Sequence, residues 1–520
     1  MEEVSFEYTS SSGPLFREGK QFPPADQLER LAKNERMKKI FKGKHYEVFH
    51  RAQALLQSTP FEEQIKTLYI ACNVVDTILT KPADMMFGEN PIYESTKDYT
   101  SREQQALDRI VRSNGLNLLG QEIVIGAGYR GDSFLKVRFG YQQDYEELGA
   151  IPEGVKMEPI IEAIDPSLVF PELSRGSRKR FKAVNIAFIE WIDEGKKEVP
   201  YLRVERHLAG IIEYKRFRCS AVGPEGVYTK GSVTIPTFMI EEQIGETRYE
   251  VTGYNAPLVF HVPYKTIDDE WQGIGTLEKI EHLVAAVNDR LAQIDYILMR
   301  HSDPSLQGPD LEKAQVKMGG KYFPRRKDEP PVEYITWDGN LDAAFKHLDY
   351  LLGQIFQISE TPQWLFGTTI AGNDGGTGTS HTDGAAIKAR FMPILTKVNR
   401  IRNHVDKAFR DALYAAQIIE IEGNMENSEF DHYTPQYPKI LWKDGLPENE
   451  KEQAEIMQIR TGGKPTIDQR GAIKKLDDVS DEMAEQVIER IDKDAEKDAT
   501  VEGSVFNDPD PIDLDEDSEE

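Results

Sequence analysis

Two amphipathic helices separated by a short insert constrain the fold of this chain more than any other feature. The first is predicted from an apolar stripe whose members lie three or four residues apart, and at 1.5 Å per residue it forms a rod of about 37 Å. Its stripe is Leu277, Ile280, Leu283, Val287, Leu291, Ile294 and Leu298. The second helix is predicted from Leu341 to Ile358. The insert contains Gly-Pro and Pro-Pro pairs and short strand candidates at 321–323 and 332–335, so the pattern is helix, small lobe, helix.

A β-rich region precedes this stalk. Between residues 120 and 262 the spacing of hydrophobic residues changes from the helical period of about 3.6 to the strand period of about 2. This indicates strands with one buried and one solvent-exposed face. Glu122–Tyr129 and Ser133–Phe139 are predicted to form a hairpin around the turn Arg130-Gly131-Asp132. A meander is predicted from strands at Phe181–Ile192, Tyr201–His207 and Ile211–Arg218.

Helices are predicted on both sides of these regions. Residues 25–88 contain helical runs, and the last run is predicted to stop at Lys81-Pro82 because proline disrupts a helix interior. A long helix is predicted from Asp383 to Ile418, with a kink near residues 389–393 caused by Pro393. Two short charged helices are predicted at 449–461 and 480–497, and the final 20 residues, with nine acids and no base, predict a disordered tail. The chain is therefore expected to be an α+β protein.

The charge of the chain limits the functions that it can have. Its 63 Lys and Arg residues against 89 Asp and Glu residues give a formal net charge of −26. This balance argues against a protein that coats nucleic acid, since such binding requires Lys and Arg side chains that neutralise the phosphates. Basic residues nevertheless concentrate in the long helix, which carries seven of them between Lys388 and Arg410. A second basic cluster, in the insert, indicates either a solvated hairpin or a contact surface for an acidic partner or DNA.

No catalytic, cofactor or metal site is predicted. The glycine-rich segment from Gly372 to Gly384 has no lysine where a phosphate-binding loop requires one and no strand before it, so a mobile loop is the better interpretation. The 10 histidines are scattered without ligand spacing, and the two cysteines, Cys72 and Cys219, do not make a disulfide framework. No signal peptide or membrane span is recognisable, which favours a soluble intracellular protein.

Several short segments, taken in their order along the chain, resemble the portal proteins of tailed bacteriophages and prophages. They are Lys81–Pro91, Gly131–Val137, Gly273–Ile280, Asn288–Leu291, Ser302–Pro304, Thr361–Gly367 and Gly384–Phe391. None of them is decisive alone, but seven in the right order are hard to obtain by chance. The resemblance covers most of the chain.

This resemblance implies a portal-like fold with a β-rich and helical wing, a two-helix stem, a small α/β clip, a long kinked helix and a helical C-terminal crown. The implied divisions are a wing at 1–262, stem helices at 263–301 and 341–359, a clip at 302–340, a tunnel loop at 360–384, the wing's long helix and following segment at 385–445, a crown at 446–500 and a disordered acidic tail at 501–520.

The resemblance also implies a role that needs no enzymatic activity and no cofactor. Subunits, usually twelve, would form a ring at one capsid vertex, and double-stranded DNA would pass through it without sequence preference during packaging and ejection. Its partners would be the large subunit of terminase, a head-tail adaptor and the major capsid or scaffolding protein, with no membrane. The protein would be found in the virion and, during assembly, in the host cytoplasm.

Two groups of residues are candidates for contact with DNA or partners. The candidates in the tunnel loop, expected to face the DNA channel, are Thr368, Thr369, Asn373, Asp374, Thr377, Thr379, Ser380, His381 and Lys388. The candidates in the clip, expected to contact a partner, are Lys321, Arg325, Arg326 and Lys327. Two other functions stay open: a different connector, adaptor or minor head component of a virion, and, more remotely, an enzyme that processes nucleic acid.

Overall fold

The computed structural model describes most of the chain. The described residues are 13–49, 71–97, 100–143, 145, 151–152, 154–195, 197–222, 227–301, 306–309, 322–325, 341–366, 384–443, 450–462, 465–477 and 483–493. The chain divides into two compact units, a large one of Met1–Ser380 with Ile387–Gly445 and a small one of His381–Ala386 with Leu446–Glu520. The described residues contain both helices and strands, which confirms the α+β class.

The large unit begins with helices, as the sequence predicts for residues 25–88. The helices before the β-rich region are α1 Leu28–Phe41, α2 His45–Val48, α3 Val74–Phe87, α4 Arg102–Ser113 and α5 Leu116–Arg130. Helix α4 is not anticipated by the sequence analysis. Its amino end is capped by Ser101, whose hydroxyl accepts a hydrogen bond from the amide of Gln104 at 3.2 Å.

The predicted helix stop at Lys81-Pro82 is wrong, because α3 continues through Pro82 to Phe87. The buried residues of this helix follow one stripe that extends past the proline: Val75, Ile78, Leu79, Pro82, Ala83 and Met86. Packing of that stripe offsets the loss of one backbone hydrogen bond at the proline. The first part of the predicted run, from Ile65, lies outside the described residues.

The predicted hairpin around Gly131 is also wrong in its first half. Glu122–Tyr129 belongs to helix α5, whereas the second half is confirmed as part of strand β3. The buried residues Leu119, Ile123, Val124 and Ala127 recur at helical spacing, so the β-branched run at 123–125 lies on a helix and not on a strand. Gly131, at φ +99°, ends the helix, and the strand starts at the next residue.

The largest sheet confirms the predicted meander and extends it. Its strand order is β1-β11-β8-β7-β6-β5, with β12 also paired to β8, and all of these pairings are antiparallel. The strands of this sheet are β1 Gln21–Phe22, β5 Val169–Leu173, β6 Phe181–Asp193, β7 Glu198–His207, β8 Ile211–Ala221, β11 Phe238–Gln243 and β12 Arg248–Val251. Its inner face packs on an apolar core that includes Phe16, Phe170 and Phe217.

The part of the chain that the structure describes also contains four smaller sheets. Their orders are β13-β3-β4, β10-β9, β16-β2 and the parallel pair β14-β15. The strands are β2 Ile92–Glu94, β3 Asp132–Gly140, β4 Glu158–Ile164, β9 Val227–Lys230, β10 Val233–Pro236, β13 Val259–Pro263, β14 Leu306–Pro309, β15 Tyr322–Arg325 and β16 Lys439–Leu441. Strand β15 coincides with the predicted strand at 321–323, whereas the candidate at 332–335 lies outside the described residues.

Both stalk helices and the long helix are confirmed. They are α6 Thr276–His301, α7 Asp342–Ile358 and α8 Gly384–Gly423, and α6 and α7 are called the stem helices below. Pro393 lies inside α8, and the kink expected there stays a prediction. One apolar core contains residues of both stem helices together with residues of α1, α3 and α5.

The small unit is helical in its described part. Helices α9 Glu450–Thr461 and 483–493 correspond to the two predicted short helices, and α10 Gln469–Asp477 lies between them without having been predicted. Met457, Ala472 and Ala484 are buried. Arg470 and Glu485 form an ion pair at 2.6 Å.

Candidate functional site: the stem helices and their root

Most of the candidate contact residues lie outside the described residues. Those outside are Thr368, Thr369, Asn373, Asp374, Thr377, Thr379, Ser380, His381, Lys321, Arg326 and Lys327. Arg325 is the last residue of β15, and Lys388 lies in the first turns of α8. The site is therefore built from the stem helices, which lie on either side of the insert, and from the elements on which they rest.

The two stem helices bury one side of each helix. The buried apolar residues on α6 include Leu277, Ile280, Val284, Val287 and Ile294, and those on α7 are Leu348, Leu351, Leu352 and Ile355. Each fully buried Leu, Ile or Val side chain contributes roughly 1.5–3 kcal/mol. All of these residues except Ile294 form one continuous core together with residues of α1 and α3, so the stem is anchored to the body of the large unit.

Large apolar side chains are also exposed on the stem. Leu298 on α6 is 49% exposed, and Phe345, Tyr350 and Ile358 on α7 are 46%, 64% and 40% exposed. Single exposed apolar residues are ordinary on a monomer, and these four are available for contact with another protein.

The root of α6 is a close crossing of two backbone segments that are far apart in sequence. A Cβ atom at Gly131 would overlap the carbonyl oxygen of Gly273, and one at Gly273 would overlap the carbonyl oxygen of Gly131. A Cβ atom at Gly275 would lie 2.7 Å from the carbonyl oxygen of Gly128. The glycines let the start of α6 lie directly on the end of α5, as no side chain could be accommodated between them.

Asp132 fastens this crossing. Its Oδ1 accepts a hydrogen bond from the amide of Gly273 at 2.7 Å and lies 2.6 Å from Nε2 of His261. The His261 ring in turn stacks on Phe134, with ring centroids 4.9 Å apart. Two of the segments that resemble portal proteins, Gly131–Val137 and Gly273–Ile280, therefore meet in space and hold each other.

Asn288 joins the middle of α6 to the amino-terminal helices. This residue is fully buried; its Nδ2 donates to Nδ1 of His45 at 2.7 Å, and its Oδ1 accepts from the amide of Cys72 at 3.0 Å. The Nε2 of His45 donates to the carbonyl oxygen of Ile40 at 3.0 Å, which leaves Nδ1 as the acceptor. Burial lowers the pKa of the His45 imidazole, consistent with a neutral ring.

Ion pairs between α1 and α6 add to this connection. Lys33 pairs with Glu278 at 2.7 Å, and Arg36 pairs with Glu281. Glu281 is buried, so its pair with Arg36 is shielded from solvent more than an ordinary surface pair. The first turns of α6 are thus held by charge as well as by packing.

The carboxyl end of α7 is held by two basic residues of α8. Glu360, which follows α7, has the left-handed φ of +55°, and both of its carboxylate oxygens accept hydrogen bonds from Arg400, at 2.9 and 2.7 Å. One turn earlier on α8, Nζ of Lys397 donates to the carbonyl oxygen of Ser359 at 2.8 Å and to the hydroxyl of Thr361 at 3.2 Å. Residues 359–361 are called the joint below.

Sequence reasoning counted Lys397 as one of seven basic residues on the long helix, but the structure buries it to 2% exposure. Its position gave a signal that could have shown this, because Lys397 lies three residues after Ile394 and four before Ile401, both on the apolar stripe of α8. Other cations of this helix also bind within the chain. Arg402 donates to the carbonyl oxygen of Lys443 and Arg410 to that of Pro438, each at 2.8 Å.

A cavity of about 360 Å³ lies on the outer face of the large sheet. Its lining includes Arg203 and Arg248, but these charges are already engaged within the chain. Arg203 forms two hydrogen bonds with Glu190, at 2.6 and 3.0 Å, and the guanidinium of Arg248 lies 5.6 Å from the ring centre of Tyr214. Both arginines therefore already have a partner within the chain.

Neither a metal-ligand cluster nor a membrane-spanning helix is found in the part of the chain that the structure describes. No group of three or more His, Cys, Asp or Glu side chains there is placed to hold a metal ion, and Cys72 and Cys219 are free thiols. None of the helices in those ranges has the length and apolar character that crossing a membrane requires.

Comparison with known families agrees with this architecture. Residues 285–500 match the family model described as "Phage portal protein, SPP1 Gp6-like". No curated protein matches the sequence. The family match supports the class predicted from the ordered motifs, that of a phage portal protein. More particularly, the matched stretch takes in most of α6, all of α7 and α8, and the helices of the small unit, and it relates this chain to the SPP1 Gp6-like portal proteins.

Proposed function

We propose that this chain is the subunit of a ring-shaped portal, the entry and exit for double-stranded DNA at one vertex of a phage capsid. The observation that carries the proposal is the stem, which is anchored to the body on one side and exposes Leu298, Phe345, Tyr350 and Ile358 elsewhere. Portal proteins are structural and not enzymatic, so the proposal assigns no catalytic role to the chain.

A neighbouring copy of the chain is the partner that best fits the exposed stem residues. Each stem would present one face to the preceding subunit and another to the next, a heterologous contact that closes into a ring when the rotation divides a full turn. Twelve subunits, the number usual in the family, would bring twelve stems around a central channel. Burial of the exposed aromatic residues would supply apolar contact area to each interface.

The channel proposed here binds DNA weakly. An acidic subunit, with its net charge of −26, repels the DNA backbone at long range, and transport requires contacts that release DNA as readily as they bind it. Under this proposal the tunnel-loop candidates between Thr368 and Lys388 contact DNA, and the clip cluster between Lys321 and Lys327 contacts terminase or the head-tail adaptor. The capsid or scaffolding protein would meet the outside of the ring, in the virion or in the host cytoplasm.

The size of the purified full-length protein tests the proposal. Light scattering should give a mass of about twelve chains, and negative-stain microscopy should show rings with a central hole. A monomer without rings would overturn the proposal. A nuclease or ATPase assay with divalent metal on the same sample would expose the enzymatic alternative.

A double substitution on α7 and a control substitution outside the stem test whether the stem forms the interface between subunits. Phe345→Glu combined with Tyr350→Glu places two charges on the exposed surface of α7 and should reduce the mass to that of a single chain, because burying unpaired charge is costly. Leu118→Glu is the matched control, since Leu118 is 76% exposed on a helix outside the stem. If the stem variant leaves the ring intact, or if the control breaks the ring as well, the exposed residues of α7 are not the specific interface.

A further inference from the structure

We infer that Lys397 is a positioning residue that makes the attachment of stem helix α7 to the long helix α8 depend on its own proton. The inference concerns contacts within one chain, so it stands whether or not the chain assembles into a ring. It assigns a role to a buried basic residue that neither stem packing nor DNA contact explains.

The geometry of the joint singles out this lysine. Its side chain is 2% exposed, and its Nζ reaches the Ser359 carbonyl oxygen and the Thr361 hydroxyl. Ser359 and Thr361 are themselves 2% and 0% exposed. The last carbonyls of a helix lack partners within the helix, and the lysine amine has N–H donors for them in both its charged and its neutral form. One side chain of α8 therefore fixes the position at which α7 ends.

Charged groups on three segments of the chain surround Lys397, and most of them carry the same positive charge as its ammonium group. Glu360, beside the joint, favours the ammonium form, whereas Arg400 on α8 and Lys279 on α6 disfavour it. Lys279 is itself next to Lys265, and its pKa is lowered by burial and by that neighbour. The buried Tyr264 phenol interacts with the charges of Glu360 and Arg400. Burial raises the pKa of this phenol, so it stays neutral. The single carboxylate of Glu360 is already bound by Arg400.

Burial is the largest effect on Lys397 and lowers the pKa of its ammonium to about 7, from an ordinary value of 10.5. When the joint opens, water reaches the amine and the pKa returns toward its ordinary value. Between these two values the open joint holds one more proton than the closed joint, so raising the pH favours closure. Below pH 7 both forms are charged, and the closing equilibrium is independent of pH.

Hydrogen exchange at the joint tests this directly on the full-length protein in its native assembly. The amides of Ser359, Glu360 and Thr361 donate to the carbonyl oxygens of Ile355, Gln357 and Phe356, so their exchange reports opening. After correction for the intrinsic pH dependence of exchange, protection should be flat from pH 6 to 7. It should then rise by up to about tenfold per pH unit, about 100-fold by pH 9.

Two variants separate a proton effect from a structural one. Lys397→Met removes the titrating group and keeps a side chain of similar length. The protection of the joint amides should then no longer rise with pH, whether its absolute level is higher or lower than in the wild-type protein. Lys407→Met, at an exposed lysine on the same helix, should keep the wild-type rise. The inference is overturned if wild-type protection does not change between pH 7 and 9, or if Lys397→Met keeps the slope. Should Lys397→Met not fold, the wild-type pH series decides alone.

Discussion

The crossing of Gly131 and Gly273 gives a prediction whose magnitude can be worked out from the structure. Replacing Gly131 by alanine has two separate costs. At φ +99° an alanine backbone is strained, which costs about 1–2 kcal/mol. The new Cβ atom would also overlap the carbonyl oxygen of Gly273, and relief of such overpacking costs typically about 1–3 kcal/mol. The expected loss of unfolding free energy is therefore about 2–5 kcal/mol.

Two further variants measure these costs one at a time. Gly195→Ala has nearly the same backbone problem, at φ +84°, but no atom lies within 4 Å of its Cβ position. It should cost about 1–2 kcal/mol. Gly273→Ala is free of a left-handed φ but would overlap the Gly131 carbonyl oxygen, and it should cost about 1–3 kcal/mol. Gly131→Ala should lose about as much as the two together.

Urea unfolding followed by tryptophan fluorescence is the assay, since Trp271 lies two residues from Gly273 and is buried against Phe181. The free energies of unfolding of the three variants would be compared with that of the wild-type protein. If Gly131→Ala costs no more than Gly195→Ala, the backbones do not cross as closely as described, and the account of the α6 root is refuted.

Two other predictions concern buried charges in the large sheet. Arg206 forms two hydrogen bonds with the buried Glu172, at 3.0 and 2.9 Å; Arg206→Ala leaves that carboxylate unpaired and should cost about 3–5 kcal/mol in urea unfolding, whereas an unchanged midpoint would contradict the buried pair. For Glu205, burial alone would raise the pKa, but His207 and Lys136 hold it at about 2. Because this pKa lies below the ordinary 4.5, the resulting stability is present above pH 4.5 and is lost as the pH falls toward 2. Acid unfolding followed by circular dichroism should be less steep in that window for Glu205→Gln, and identical curves would count against the assignment.

The helices and strands that the sequence predicted best have a long, uninterrupted pattern. The stripe of α6 extends over about six turns, and the meander has a charged turn, at 193–197, between two clearly alternating runs. Helix α5 was mistaken for a strand because Ile123, Val124 and Ile125 form a β-branched run, whose preference the packing of the helix overrides. Pro82 predicts a helix end from its local preference, but the packing of the residues around it keeps α3 helical as far as Phe87.

The contacts of the candidate site were harder to predict than its helices. Gly131 was interpreted from its neighbours as turn chemistry, but its role depends on Gly273, 142 residues later in the sequence. Lys397 was interpreted as one charge among seven because composition does not show which side of a helix is covered. In both cases the decisive partner comes from a distant part of the chain, and a single sequence contains no direct record of it.

The shared core of the stem has a consequence for how the chain folds. Val284, Val287 and the buried side of α7 pack against Met37 and Ile40 of α1 and against residues of α3. Contacts between such distant segments close slowly, because the entropy of the intervening loop must be paid first. A fragment limited to residues 285–500 would lack the residues of α1, α3 and α5 that complete the core around its own apolar stripe. We expect it to aggregate on expression, so the helices typical of the family become a stable stem only after the amino-terminal part has been synthesised and is ready to receive them.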